Sequence, residues 1–337
     1  MPELREDPIS GRSVIVAAGR AARPHTVAEV VPPPAEAPGT RAGDDDRRRS
    51  RPEASMSADC PFCAGNEAMT PPEVARTGGG EPDAPGWRVR VVPNLYPIVG
   101  AGAHVNGSAT GAHEVVILSP DHRADFGALD DDTAVEVLLV MRDRVGHHLD
   151  AGRAFAFAFV NHGRAAGASI AHPHAQVVAL DVVPPRVVEM AERFAVQDLV
   201  PGELAAARAA DLVVIDGPAP AWCPPASPSA YGMRCAHRST RARFDEATDA
   251  EIRVVALGVR DALARVDTLL GSPAYNVVVH TGAPGVHAGE MHWHAELVPR
   301  LGHHAGFEFG TGMLVNVVPP EQAATLLRAA APAPDAA

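Results

Sequence analysis

The chain contains no lysine, so arginine carries all of its 29 basic charges. Base-composition bias in the gene would produce the same pattern, although a planar guanidinium suits phosphate binding well. Positive charge is also in deficit, with a formal net charge of −12, which argues against a general nucleic-acid partner. Aromatics make up only 4%, and the four cysteines are too few for a disulfide scaffold in a chain of 337 residues. No apolar run approaches membrane-spanning length, and the opening Met-Pro-Glu-Leu-Arg-Glu-Asp lacks the apolar region of a secretory signal. The expectation is a cytoplasmic protein with no membrane or nucleic-acid partner. Its 46% hydrophobic content supports a sizeable core, as one large domain or two similar halves.

One stretch stands out: Asn161-His-Gly-Arg-Ala-Ala-Gly167-Ala168-Ser169-Ile-Ala-His172-Pro-His174-Ala-Gln176. On an extended strand His172, His174 and Gln176 share one face. The Gly-Ala-Ser loop offers backbone N–H groups and a hydroxyl to an anion. Two imidazoles and an amide beside such a loop suggest phosphate chemistry; a polar strand face with satisfied histidines is the plainer alternative. Elsewhere, Arg20 and Arg23 follow a short strand, as a phosphate clamp or a solvated edge, and Asn94 ends another strand, as a ribose or base contact or a simple turn residue. Cys60-Pro-Phe-Cys63 is a metal half-site, a redox pair or chance, and two further ligands would decide for a metal.

The order of parts recurs along the chain. A strand, His122, Phe126, a helix over 125–150 and an apolar strand lead to Asn161-His-Gly and then His172-x-His174-x-Gln176. A strand, His237, Phe244, a helix over 245–270 and an apolar strand lead to His280-Thr-Gly and then His292-x-His294-x-Glu296. The pattern predicts an α+β fold of two modules joined in one continuous, largely antiparallel sheet with helices packed on it. The first module spans 1–185, with a Pro-, Ala- and charge-rich insertion at 31–59 expected to be disordered; the second spans 186–328, and 329–337 form a frayed tail. A further helix is expected over 187–197 and a last strand over 313–318.

These motifs, in this order, resemble the histidine-triad superfamily, and within it the branch of galactose-1-phosphate uridylyltransferase and ADP-glucose phosphorylase. The resemblance rests on Arg20-Ala-Ala-Arg23-Pro, Cys60-Pro-Phe-Cys63, Asn94-Leu-Tyr-Pro, Ser119-Pro-Asp-His122, Asn161-His-Gly, Gly167-Ala168-Ser169, His172-Pro-His174-Ala-Gln176, Gly306-Phe307-Glu308 and Gly310-Thr-Gly312. It implies that His174 is a nucleophile forming a covalent nucleotidyl-histidine, with Gln176 and Ser169 stabilising the phosphoryl oxygens. It implies substrate contacts from Arg20, Arg23, Asn94, Asn161, Gly167, Ala168, Ser169, Gln176, Phe307 and Glu308. The resemblance implies that the last two are hexose-side contacts, of a kind that reaches across a homodimer interface. Cys60, Cys63, His122 and His172 match a closed, structural Zn²⁺ site.

The substrates implied are a nucleoside-diphosphate sugar and a sugar 1-phosphate. The leading expectation is a ping-pong UDP-glucose–hexose-1-phosphate uridylyltransferase of galactose metabolism. An ADP-glucose phosphorylase is the close alternative: the Asn-Leu-Tyr-Pro, Gly-Ala-Ser and Gly-Thr-Gly wording leans towards it, and the composition leans back. A non-catalytic nucleotide-binding relative is a third class. Dinucleoside polyphosphate hydrolysis is disfavoured, because hydrolytic members place histidine where this chain has Gln176. Some relatives carry a second metal on residues matching His280, His294 and a third histidine, which here is Glu296.

Overall fold

A computed structural model of the chain describes residues 1–22, 57–100, 109–238, 243–287 and 290–331. Its first strands are β1 (Glu3–Glu6), β2 (Ser13–Val16), β3 (Ala75–Gly78), β4 (Trp87–Pro93), β5 (Gly111–Ile117), β6 (Phe155–His162) and β7 (His174–Leu180). Then come β8 (Val213–Ile215), β9 (Ala221–Trp222), β10 (Met233–Cys235), β11 (Tyr275–His280), β12 (His294–Pro299) and β13 (Leu314–Asn316). Ten of them form one antiparallel sheet in the order β3-β4-β5-β7-β6-β11-β12-β10-β9-β8. Counted outwards from the β6–β11 junction, where Asn276 pairs with Asn161, the two halves repeat the same order. The expected repeat and continuous sheet are both present.

The last strand is not part of that sheet. β13 runs parallel to β2 in a separate three-stranded sheet with β1, so the start and end of the chain are tied together. Behind the large sheet lie two long helices packed on each other, α1 (Asp131–Asp150) and α4 (Asp249–Leu270). Both begin later than the apolar pattern suggests, because capping side chains set the start. Asp130 accepts from the Thr133 N–H, and Thr248 with Glu251 forms a capping box. Phe126 and Phe244 sit in short 3-10 turns ahead of them.

The helix expected over 187–197 is α2 (Pro185–Phe194), and it is followed by an unanticipated α3 (Leu199–Ala209). Pro201 and Gly202 fall in the first turn of α3, where a missing N–H costs no hydrogen bond. Two further helices close the chain, α5 (Gly306–Thr311) and α6 (Pro320–Ala329). Among the described residues no helix is long and apolar enough to cross a membrane.

β6 shows how the sequence shapes the two faces of the sheet. Ala156, Ala158 and Val160 are buried, and their small size lets α1 pack closely. Phe155, Phe157 and Phe159 alternate to the other face as a stacked ladder, with ring centroids 5.7 and 5.3 Å apart. At the start of β5 a side chain has no room: a Cβ on Gly111 would stand 2.0 Å from the Ala179 carbonyl oxygen.

Glu114 locks α1 to the sheet. Its buried carboxylate accepts from Arg144 Nε at 2.8 Å and Nη2 at 2.5 Å and lies 3.0 Å from His148 Nε2. Burial alone would raise its pKa, but Arg144 and His148 hold it down to about 2. A depressed carboxylate contributes stability that is complete above its ordinary value and lost as pH falls towards 2. Glu114→Gln should therefore cost about 3 kcal/mol at neutral pH, with the deficit shrinking between about pH 4.5 and 2. Denaturant titrations at pH 7 and pH 3 measure this; a deficit that does not change with pH would refute the assignment.

Candidate nucleotidyl-transfer site

The sheet face opposite the long helices carries the polar residues singled out by the sequence. On it a small apolar cluster of Phe62, Trp87, Val92, Val115 and Ile117 surrounds Cys60 and Cys63. One ligand atom each from Cys60, Cys63, His122 and His172 lies within 4.8 Å of all the others. The sulfur-to-nitrogen separations are 3.3 to 3.7 Å. A tetrahedral ion with bonds of about 2.3 Å to sulfur and about 2.0 Å to nitrogen requires roughly 3.5 Å. The donor set fits such an ion and is complete at four.

His172 is not itself in a strand, because β7 begins at His174. Its Nε2–H donates to the Ser119 carbonyl at 2.9 Å, which leaves the Nδ1 lone pair facing the sulfurs. Burial lowers its pKa to about 4. Ser119 thus contributes through its backbone, which no side-chain pattern could reveal.

His174 comes next. It is buried, and its Nδ1–H donates to the His172 carbonyl at 2.9 Å. That bond fixes the tautomer with the lone pair on Nε2. Burial lowers its pKa, so the ring is neutral and nucleophilic near pH 7. Phe62 packs edge-on against the ring at 5.3 Å.

Gln176 follows on the same face, and its Oε1 accepts from His113 Nε2–H at 2.8 Å. The His113 ring also lies 3.2 to 3.3 Å from Asn94 Nδ2, so one histidine touches two predicted site residues. The sequence patterns do not single out His113. The available signal was a polar side chain alternating with Val115 and Ile117 on one face of a strand that pairs with β7.

Asn161, the penultimate residue of β6, is one step beyond Val160, whose register partner is Ala175, and so it stands beside His174 across the strand pair. Its Oδ1 accepts from Asn276 Nδ2 at 2.8 Å, and Asn276 also donates to the Ala166 carbonyl at 2.9 Å. Asn276 therefore ties the second module to the Gly167-Ala168-Ser169 loop, a role hidden inside an apolar strand in the sequence. Gly167 has φ of 93°, left-handed backbone that favours glycine. Gly167 and Ser169 are exposed and Ala168 is half-buried.

Arg20 and Glu308 line a cavity of about 650 Å³ together with Asn161. His174 and Gln176 are not among its walls, so the cavity lies beside the histidine rather than over it. Phe307 is 46% exposed on α5. Arg23 lies outside the described residues.

In the second module the backbone geometry repeats. His294 Nδ1 meets the His292 carbonyl at 3.0 Å, and His292 Nε2 meets the His237 carbonyl at 2.8 Å. The side-chain chemistry differs. Glu296 pairs with His280 at 2.8 Å, and the His280 and His294 rings stack at 4.9 Å. Burial alone would raise the Glu296 pKa, but His280 and the buried Arg234 hold it far below the carboxylate range. Arg234 also bonds Asp7 and Glu203. Among the described residues, no second group gathers three or more such ligand atoms as tightly as the Cys60 cluster.

A family model described as the N-terminal domain of galactose-1-phosphate uridyl transferase matches residues 102–184. An ADP-glucose phosphorylase of Arabidopsis thaliana is 28% identical over 347 aligned positions, covering 97% of this chain and 92% of that protein. The crystal structure of an ADP-glucose phosphorylase from Arabidopsis thaliana with bound ADP-glucose matches with a TM-score of 0.79 and 26% identity, covering 97% of this chain and 98% of that one. A solved uridylyltransferase shares the fold, with a TM-score of 0.66 and 23% identity over 98% of each chain.

Proposed function

We propose that the chain is a nucleotidyltransferase of the galactose-1-phosphate uridylyltransferase family, in the histidine-triad superfamily, and that it splits ADP-glucose with inorganic phosphate. His174 Nε2 attacks the α-phosphorus, the bond to the β-phosphate oxygen breaks, and glucose 1-phosphate leaves. The phosphoramidate keeps AMP on the ring until a phosphate oxygen displaces it as ADP. A neutral, buried imidazole with Nε2 uncommitted supports the nucleophile role. Gln176 and the Gly167-Ala168-Ser169 loop supply hydrogen-bond donors to the phosphoryl oxygens. Asn94, Asn161, Arg20 and Arg23 hold nucleotide and phosphates, and Phe307 and Glu308 contact the sugar.

The choice of adenine and phosphate is carried by one observation: the likeness to an ADP-glucose phosphorylase extends over nearly the full length of both proteins. A second reading, uridylyl exchange between UDP-glucose and a hexose 1-phosphate, draws on the family model's description. We assign Zn²⁺ to Cys60, Cys63, His122 and His172 as a structural ion, since four protein donors leave no position for substrate. A homodimer fits the exposure of Phe307 and Phe309, which a second copy would cover.

Incubation with ADP-glucose or UDP-glucose in the absence of acceptor, followed by intact-protein mass measurement, separates these readings. The expected result is an AMP adduct that added phosphate discharges as ADP. A UMP adduct alone favours the second reading, and no adduct with either removes both.

A further inference from the structure

We propose that His113 is a positioning residue: it sets which end of the Gln176 amide faces the phosphoryl group. The proposal rests on the reading of His174 as nucleophile and deepens it by one residue. A glutamine amide has an acceptor end and a donor end, and only the donor end can stabilise negative phosphate oxygens. Left to rotate, it would present either one.

The geometry around His113 removes that freedom. Its Nδ1 accepts from the Ile98 backbone N–H at 3.2 Å, so the single proton of the neutral ring resides on Nε2. That Nε2–H donates to Gln176 Oε1 at 2.8 Å. A flipped amide would set two donors face to face in buried surroundings, which is unfavourable. Burial, which lowers the pKa of His113, keeps the ring in this one-proton form. With Oε1 committed, the Gln176 NH₂ group makes no hydrogen bond among the described residues and remains for substrate.

The same ring also touches Asn94, whose Nδ2 lies 3.3 Å from the accepting Nδ1. The Asn94 backbone N–H donates to the His113 carbonyl at 2.8 Å, and Asn94 Oδ1 accepts from the Tyr96 N–H at 2.9 Å. Asn94 is thus held chiefly by backbone bonds that survive a change of the His113 side chain. His113 therefore acts on the rate of phosphoryl transfer more than on nucleotide affinity.

The test is a double-mutant cycle read in single turnovers at saturating ADP-glucose. His113→Phe keeps the ring volume and removes the N–H. It should slow adduct formation about 10- to 100-fold with little change in substrate affinity. In a Gln176→Ala background the same change should add nothing. His113→Gln, which can donate from a side-chain amide, should recover part of the rate and serves if the phenylalanine variant folds poorly. An equal loss in the Gln176→Ala background, or a loss confined to affinity, overturns the proposal. The ¹⁵N shifts of His113 in the wild-type protein read the tautomer without any turnover. A ring protonated at Nδ1 overturns the proposal even where the adduct forms, whereas absence of any adduct overturns the nucleophile reading beneath it.

Discussion

Replacing His174 with glycine should abolish the covalent adduct and lower turnover by at least about 10⁴-fold, while the protein still binds its nucleotide sugar. The size of the effect follows from how completely the structure prepares this one ring. Its Nδ1–H is spent on the His172 carbonyl, so Nε2 is the nitrogen left to attack. Burial favours the neutral form, so little driving force is lost to protonation near pH 7. Binding should persist because Asn94, Asn161 and Gln176 are held by His113, Asn276 and backbone groups and not by His174. Calorimetry with ADP-glucose and intact-mass labelling would be run on the same preparation. Turnover that survived the substitution would mean another residue is the nucleophile; binding lost together with labelling would point to collapse of the site.

Much of this arrangement is legible in the sequence, and the unread part has physical reasons. The repeat could be read because alternation on β7 and β12 and the apolar patterns of α1 and α4 are local and periodic. The Cys60, Cys63, His122 and His172 set was legible only through resemblance, since its members come from three separate loops that the fold brings together. Where α1 and α4 begin was misread because one capping side chain outweighs a periodic pattern. His113 and Asn276 escaped notice for another reason. Each is a polar residue near the start of a mostly apolar strand, and what it does depends on the strand that register sets beside it. The same limit hid the pairing of β13 with β2, as short strands carry almost no pattern of their own.

Removing the proposed ion should reach His174 through the ring and backbone carbonyl of His172, and this is the second large effect expected. The ion would hold the His172 ring by Nδ1 while Ser119 holds its Nε2–H, so the residue cannot turn. The His172 carbonyl is in turn the acceptor that fixes the His174 tautomer. Phe62 packs against both rings, at 6.2 and 5.3 Å, within the cysteine-bearing segment that the ion would anchor. Cys60→Ser should therefore lower bound zinc well below one ion per chain. It should also destabilise the protein by several kcal/mol, less than the about 10–16 kcal/mol that metal binding supplies to isolated zinc modules. Adduct formation should fall about 10- to 100-fold in whatever fraction remains folded. Burial raises the Cys60 thiol pKa, so loading must expel a proton and should weaken as pH falls. Elemental analysis, thermal unfolding and single-turnover labelling measure the three effects separately. A Cys60→Ser protein with full zinc, unchanged melting and the wild-type rate would sink the assignment. Loss of zinc with the rate intact would leave the ion structural but uncouple it from His174.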